Sequence, residues 1–307
     1  MLPPNSFIGA GEAVAASVGI GCLYVGSLYA IGNRRLVRCQ WNRNHPEVIV
    51  DRLRAASVVT VLLPIMLWAL FAQHGLLGHV TSWSASMAAM LRLLGVGWTS
   101  ARQVLAATLL PLLHTMLLFL GPLVSEWQTG ELKTTIRLLD FSNADTTQHL
   151  ISLRNYVVGP ISEEIVFRAC LGALLAQTHM STTAAVLSSS LIFAHAHHAW
   201  EMYARNRHRP NALRVALAQT AFQLFYCAVF GSYTMMLFLR TGHVLGAILS
   251  HAFCNIMGLP DIGQLFTESG RLRMLSVYLL GIALFVLTYT TLLDPTIYDS
   301  VYWTVVA

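Results

Sequence analysis

Residues 55–73 read AASVVTVLLPIMLWALFAQ, an apolar run with no acidic or basic side chain. About 20 apolar residues in helical form cross the hydrocarbon core of a bilayer. The sequence holds seven further runs of this kind, so we predict about eight membrane spans. They lie at about 13–31, 55–73, 104–124, 156–178, 181–197, 213–239, 243–258 and 274–292. The shorter stretch 84–96, interrupted by Arg92, predicts an interfacial or re-entrant segment.

The composition supports the same fold class. Of the 307 residues, 55% are hydrophobic and only 11% are charged, and the mean hydropathy is +0.59. A soluble domain carries about 25% charged residues, because charged side chains cover its water-facing surface. A lipid-facing surface has no such need. We therefore predict an all-α, polytopic transmembrane helical bundle that forms a single domain over residues 1–307.

Arginine residues concentrate in four of the connections between these spans. They are Arg34, Arg35, Arg38, Arg43, Arg52 and Arg54, then Arg137 and Arg154 with Lys133, then Arg205, Arg207, Arg209 and Arg214, and finally Arg271 and Arg273. With eight spans these connections share one side of the membrane, which the positive-inside rule assigns to the cytosol. The net charge of +5 therefore reflects membrane topology, and we expect a bilayer and no nucleic-acid partner.

Three local features carry further predictions. Arginines follow the first apolar run and Glu12 lies near its start, so we expect this span to remain in place instead of being cleaved. The five cysteines show no CxxC spacing and read as small apolar residues, not as a disulfide framework. The stretch 132–139 predicts an amphipathic surface helix, with admission of substrate as the alternative role.

The fourth span contains Ser162-Glu163-Glu164-Ile165-Val166-Phe167-Arg168. An ionisable group inside a span costs about 2.5 kcal/mol or more, so it needs a partner or a function. Glu164 and Arg168 are four residues apart and are predicted to pair, whereas Glu163 points about 100° away. Pro160 predicts that the helix opens here, with both glutamates in its first turn. A poorly solvated Glu163 suits proton abstraction from water, and a structural ion-pair network is the alternative.

Histidines end the fifth span, at His195, His197 and His198. Three histidines within four residues are typical of some metal sites, but no HExxH helix of the zinc proteases occurs in the sequence. A neutral histidine can also orient a water molecule or accept its proton. A structural role near the helix end is the alternative for His197 and His198.

The seventh span contributes His251 and Asn255, which are four residues apart and share one helix face. Two fixed donors in a dry cavity would stabilise an oxyanion, and polar contact between helices is the alternative. The eight-span topology brings Glu163, His195 and this pair to similar depth in the cytosolic half of the membrane. We therefore predict one shared, water-accessible cavity.

These motifs, in this order, resemble the type II CAAX prenyl protease family, the Ras-converting enzymes, and the broader group of CPBP intramembrane proteases. The residues that carry the resemblance are Gly159-Pro160-Ile161-Ser162-Glu163-Glu164-Ile165-Val166-Phe167-Arg168, Ala194-His195-Ala196-His197-His198, Val229-Phe230-Gly231-Ser232-Tyr233 and Arg240-Thr241-Gly242-His243. They place the catalytic core at about 155–260. The resemblance implies removal of the C-terminal aaX tripeptide from farnesylated or geranylgeranylated CaaX proteins such as small GTPases. It also implies an endoplasmic reticulum membrane location.

The resemblance also assigns roles to residues. It implies that Glu163 and His195 activate the attacking water, that His251 and Asn255 form the oxyanion hole, and that Glu164 with Arg168 orients them. Such enzymes are considered metal-independent glutamate proteases, although a metalloprotease mechanism has been argued, so we expect no cofactor and no metal ligand. One departure concerns the family motif FxxxH, because Leu191 stands four residues before His195. The nearby aromatic residue is Phe193.

Other chemistries fit the sequence less well. The absence of HExxH disfavours a zinc-type CAAX protease, and the absence of GxSxG disfavours a serine hydrolase. A Cys254 nucleophile would need a nearby base. The alternative from another class is a polytopic transporter or a non-catalytic membrane scaffold that uses the buried Glu and His as ion or proton sites, although no inverted repeat is visible.

Overall fold

The computed structural model describes most of the chain. The described residues are 8–40, 42–77, 82–97, 100–131, 145–195, 203, 207–208, 210–260 and 271–302, without the side chains of 32, 33, 195 and 271. Within these ranges the regular structure is helical and no strand occurs, which confirms the predicted all-α class.

We number ten helices in the described residues, and every predicted span overlaps at least one of them. They are α1 Ala10–Arg38, α2 Pro46–Gln73, α3 Trp83–Leu93, α4 Ala101–Leu118, α5 Leu120–Thr129, α6 146–175, α7 Thr182–His195, α8 Ala212–Thr241, α9 Val244–Met257 and α10 Arg271–Leu292. Five of them, α1, α2, α4, α8 and α10, contain segments long and apolar enough to cross a membrane, and α7 and α9 are shorter apolar helices. The protein is therefore a polytopic membrane protein.

The predicted third span is interrupted, whereas the stretch 84–96 forms a short helix, as predicted. The predicted third span at 104–124 is broken at Phe119, because Pro122 has no N–H to bond the carbonyl four residues before it. Helix α3, in the stretch 84–96, is only 11 residues long, about 16 Å, and does not cross the bilayer by itself. The predicted helix at 132–139 lies outside the described residues.

Helix α6 differs from prediction in where it begins. It opens at Thr146, where the Asp145 side chain accepts a hydrogen bond from the Gln148 N–H, and not at Pro160. Two wider π turns, Arg154–Val158 and Ile165–Cys170, interrupt it. The first π turn comes directly before Pro160, whose ring would clash with the carbonyl four residues back in a regular α-helix. The prediction that the helix opens at Pro160 was therefore wrong.

Helix α6 occupies the centre of the bundle. It contacts α1, α2, α7, α8 and α9, and its C-terminal half, from Val166 to Leu175, is buried throughout. Helix α10 packs on α4 and α5 and leaves a large apolar face exposed, as a lipid-facing helix does. Arg168, which lies in this buried stretch of α6, is thus surrounded by protein, and outer helices present apolar faces as lipid-facing helices do.

The five cysteines are free thiols, and Cys170, Cys227 and Cys254 are buried. The burial of these three thiols agrees with their prediction as small apolar residues.

Candidate active site

A buried ionic cluster joins α6 to α9. Nε of Arg168 lies 3.1 Å from Oε2 of Glu164, and the two side chains are only 1% and 0% exposed. The spacing of four residues on one helix brings them together, as the sequence predicts. The other oxygen, Oε1 of Glu164, lies 2.7 Å from Nδ1 of His251. Glu164 therefore holds a cation on its own helix and the imidazole of α9 at once.

Arg168 has further contacts that fix its position. Its Nε also donates a hydrogen bond to the hydroxyl of Thr234 on α8, at 2.7 Å. Its guanidinium carbon lies 4.1 Å from the ring centroid of Phe193 on α7, a cation–π contact. One side chain thus connects α6, α7 and α8 around the ionic cluster.

Glu163 lies on a different face of α6 and is more accessible. Its side chain is 32% exposed, and its Oε2 is 3.8 Å from Nε2 of His251. Because Nδ1 of His251 is held by Glu164, Nε2 is the ring atom that faces Glu163. Glu164 is thus buried in an ion pair, whereas Glu163 keeps an accessible carboxylate, as their positions around the helix predict.

Glu163 and His251 open into a cavity of about 390 Å³. The lining residues are Arg43, Asn155, Glu163, Phe193, Gln223, Tyr226, Cys227, Phe230, His251, Cys254 and Asn255. Phe230 packs edge-on against His251, with ring centroids 4.9 Å apart, and limits the rotation of the imidazole. The cavity therefore combines an aromatic wall with a carboxylate, an imidazole and amide groups, within a membrane bundle.

Asn255 is held by a helix irregularity that the sequence alone did not reveal. Its Nδ2 donates a hydrogen bond to the carbonyl of Asn155, at 2.9 Å. In the π turn, the Gly159 N–H bonds the carbonyl of Arg154, and the next residue, Pro160, has no N–H to offer. The carbonyl of Asn155 is therefore left without its helical donor, and Asn255 takes that place.

A second lobe of about 170 Å³ borders the cavity and shares Arg43, Asn155, Glu163 and Asn255 with it. Its other lining residues are Tyr24, Leu28, Arg52, Leu53, Ala56, Arg154, Val158, Gly159 and Ser162. The Tyr24 and Ser162 hydroxyls lie 2.8 Å apart, which connects α1 to α6 beside Glu163. The site thus extends toward the loop between α1 and α2.

A buried polar network supports α9 from the other side. His114 Nε2 donates to the carbonyl of Phe285 at 2.8 Å, so Nδ1 accepts from the Tyr233 hydroxyl at 2.9 Å. The Thr115 hydroxyl lies 2.8 Å from the Tyr233 hydroxyl and 2.9 Å from that of Ser250. Ser250 directly precedes His251, so the network fixes α9 against α4, α8 and α10 at the level of the site.

The structure thus brings three of the four predicted catalytic residues to one cavity: Glu163, His251 and Asn255. The fourth, His195, is the last residue of α7, but its side chain lies outside the described part of the structure, as do His197 and His198. Among the described residues no group of three His, Cys, Asp or Glu side chains could hold a metal ion. The predicted supporting pair, Glu164 with Arg168, is present.

The structure also resolves the departure from the FxxxH motif. Leu191, four residues before His195, is 54% exposed and borders an apolar groove with α1. Phe193 is instead buried, lines the cavity and covers Arg168. The aromatic wall that the motif predicts at position 191 is therefore supplied from position 193.

An accessible carboxylate beside an imidazole inside a polytopic helical bundle is an arrangement that can activate water in an intramembrane hydrolase. Residues 145–257 match the family model described as Type II CAAX prenyl endopeptidase Rce1-like. This range contains the whole ionic cluster and the π turns of α6.

Relatives match over almost the full length. The chain is 36% identical over 299 residues to CAAX prenyl protease 2 of Homo sapiens, which covers 94% of this chain and 83% of that protein. It is 32% identical over 274 residues to a probable CAAX prenyl protease 2 of Schizosaccharomyces pombe, with 87% and 89% covered. For CAAX prenyl protease 2 of Arabidopsis thaliana the identity is 28% over 305 residues, with 94% and 91% covered. No solved structure matches the chain significantly.

The chain therefore belongs to the type II CAAX prenyl endopeptidase family. It is a membrane-embedded hydrolase, and the resemblance stated from its motifs is confirmed.

Proposed function

We propose that this chain removes the C-terminal aaX tripeptide from farnesylated or geranylgeranylated CaaX proteins, small GTPases among them. The observation that carries the proposal is the accessible carboxylate of Glu163 facing Nε2 of His251 inside a membrane bundle. The names of the relatives, which cover most of the chain, support the same reaction.

In the proposed reaction a water molecule attacks the carbonyl carbon of the prenylated cysteine. Glu163, with His195, takes a proton from this water as its oxygen forms the new bond. The C–N bond to the first aliphatic residue then breaks, and the departing amine receives the proton. The products are a protein that ends in a prenylcysteine carboxylate and a free aaX tripeptide.

The negative charge that develops on the carbonyl oxygen needs fixed donors. We assign this role to the Nε2 edge of the His251 ring and to Nδ2–H of Asn255. Glu164 holds Nδ1 of His251 at 2.7 Å, which orients the ring so that Nε2 faces the cavity. Arg168 in turn balances the buried charge of Glu164.

The membrane setting suits a lipidated substrate. A prenyl chain gains about 0.8 kcal/mol for each CH₂ buried in lipid, so its extraction into water would be costly. A cavity reached from within the bundle avoids that cost, since only the peptide has to reach Glu163. We propose that the cavity opens to the cytosolic side of the endoplasmic reticulum membrane. Of the arginines in the predicted cytosolic connections, Arg43 lines the cavity and Arg154 lines the adjoining lobe.

The purified protein, incubated with a farnesylated CaaX peptide and with the same peptide lacking the farnesyl group, tests the proposed function. We expect the tripeptide to be released from the farnesylated peptide only, as measured by mass spectrometry of the products. A transporter or scaffold would leave both peptides intact. Cleavage that persists in a strong chelator supports water activation by Glu163, and loss that is reversed by added metal contradicts it.

A further inference from the structure

The second lobe beside Glu163 is strongly basic. Its lining includes the guanidinium groups of Arg43, Arg52 and Arg154 and one carboxylate, that of Glu163. Three arginines against one acidic residue give the lining of this space of about 170 Å³ a net positive charge, which favours an anion there. The rest of the lining is largely apolar, through Leu28, Leu53, Ala56 and Val158.

Arg154 serves mainly to position the loop that carries Arg43. Its NH1 donates to the backbone carbonyl of Arg43 at 2.9 Å, and its NH2 donates to the Asn44 side chain at 3.1 Å. Its Nε donates to the Asn155 side chain at 2.9 Å. Two of the three nitrogens of Arg154 therefore hold the loop between α1 and α2 against α6, and the third bonds within the π turn itself.

Arg43 and Arg52 differ in burial and in the spaces that they line. The half-buried side chain of Arg43 borders both the catalytic cavity and the basic lobe. Arg52 is only 6% exposed and its guanidinium lies 5.7 Å from the ring centroid of Tyr29. Of these three arginines, Arg43 is thus the one that lines both the cavity and the basic lobe, and Arg52 adds positive charge at a more buried position.

On the basis of the proposed function, we propose that Arg43 binds the C-terminal carboxylate of the aaX tripeptide. Every CaaX substrate carries this carboxylate whatever its side chains, and a carboxylate that leaves water needs a cation and hydrogen bonds. Three extended residues span about 10 Å, so a carboxylate held in the basic lobe would leave the scissile bond close to Glu163. The apolar lining of the lobe matches the aliphatic residues of the motif.

This contact would explain how a membrane protease selects a tripeptide. The distance from the carboxylate subsite to Glu163 would fix the number of residues removed. A peptide whose terminus is amidated would lose the charge, and one extended at its C-terminus would place the wrong bond at Glu163.

The test compares two farnesylated peptides that differ only in a free C-terminal carboxylate or a carboxamide. For each, kcat/KM is measured with the wild type, with Arg43→Gln and with Arg43→Lys. The wild type is expected to prefer the free acid by about tenfold to a hundredfold, the usual value of a hydrogen bond to a charged group. Arg43→Gln is expected to cleave both peptides with similar, low kcat/KM, and Arg43→Lys to recover part of the preference.

Arg38→Gln is the matched control, since it removes one exposed arginine near the same loop that lines neither lobe. It should keep the full preference. Equal cleavage of both peptides by the wild type, or a full preference retained by Arg43→Gln, would overturn the carboxylate subsite while leaving the proposed function in place. Failure of the wild type to cleave the free acid would overturn both.

Discussion

Replacement of Arg168 by methionine should destabilise the protein strongly. The change leaves Glu164, which is 0% exposed, without its guanidinium partner in the centre of the bundle. Removing one partner of a buried ion pair costs about 3–5 kcal/mol, because the remaining charge stays buried without compensation. Both side chains are almost fully inaccessible, so water cannot screen this loss.

The loss of stability in Arg168→Met can be measured as a fall in the midpoint of thermal unfolding in detergent. At roughly 2 °C for each kcal/mol, the midpoint of unfolding should fall by about 6–10 °C. The buried thiols of Cys170, Cys227 and Cys254 become reactive on unfolding, so a thiol-specific fluorophore reports the transition. Thr288→Val provides the baseline, since the Thr288 hydroxyl bonds only a carbonyl of its own helix.

The double variant Glu164→Gln with Arg168→Met separates charge from packing. It removes both charges together, so most of the lost stability should return. Its activity should nevertheless stay low, because a neutral amide is a weaker acceptor for Nδ1 of His251 than the Glu164 carboxylate and orients the ring less firmly. If the double variant is as unstable as Arg168→Met alone, the cost does not come from an uncompensated charge and the reasoning fails.

Two further variants probe how the site is positioned. Thr115→Val leaves the Ser250 hydroxyl without its partner on α4. We therefore expect the free energy of unfolding to fall by about 1–3 kcal/mol and kcat to fall several-fold. Unchanged stability and kcat would show that the network does not support α9. Pro160→Ala supplies an N–H that competes with Asn255 for the carbonyl of Asn155, so kcat/KM should fall several-fold while the midpoint of unfolding holds or rises. Pro64→Ala, in α2, is the control for Pro160→Ala. If Pro160→Ala loses activity only in proportion to a fall in its unfolding midpoint, the predicted competition with Asn255 is wrong.

Spacing along single helices allowed much of the site to be predicted. The pairing of Glu164 with Arg168 follows from their separation of four residues, and the different exposure of Glu163 follows from its place on the next face. The eight-span topology predicts that these residues and His251 lie at one depth. What spacing could not predict is that His251 would contact both glutamates, because that depends on how α6 and α9 pack.

The errors in prediction have local physical causes. Proline usually marks the start of a helix, and Pro160 suggested one, but a π turn allows α6 to continue through it. The same turn releases the carbonyl that Asn255 binds, so the bond was not visible in the sequence. The sequence also does not predict that Phe193 covers Arg168, because this contact depends on how α6 and α7 pack.

The sequence does not reveal the basic lobe, for another reason. Arginines in connections between spans usually set topology, and Arg43 and Arg154 lie in such connections. Only the fold shows that the loop containing Arg43 is held against α6 and that Arg43 lines the cavity with Glu163. An arginine in a short connection can therefore serve both topology and a site, and the sequence pattern does not distinguish the two.

Activation of water by Glu163 is the step on which the proposed cleavage of a prenylated CaaX peptide depends. Its most direct test is the rate of tripeptide release by purified wild type, Glu163→Gln and Glu12→Gln, the last being an exposed glutamate far from the cavity in sequence. We expect Glu163→Gln to lose activity by at least about a hundredfold, with little change in its unfolding midpoint, and Glu12→Gln to match the wild type. Activity of Glu163→Gln within a few fold of the wild type would contradict the account.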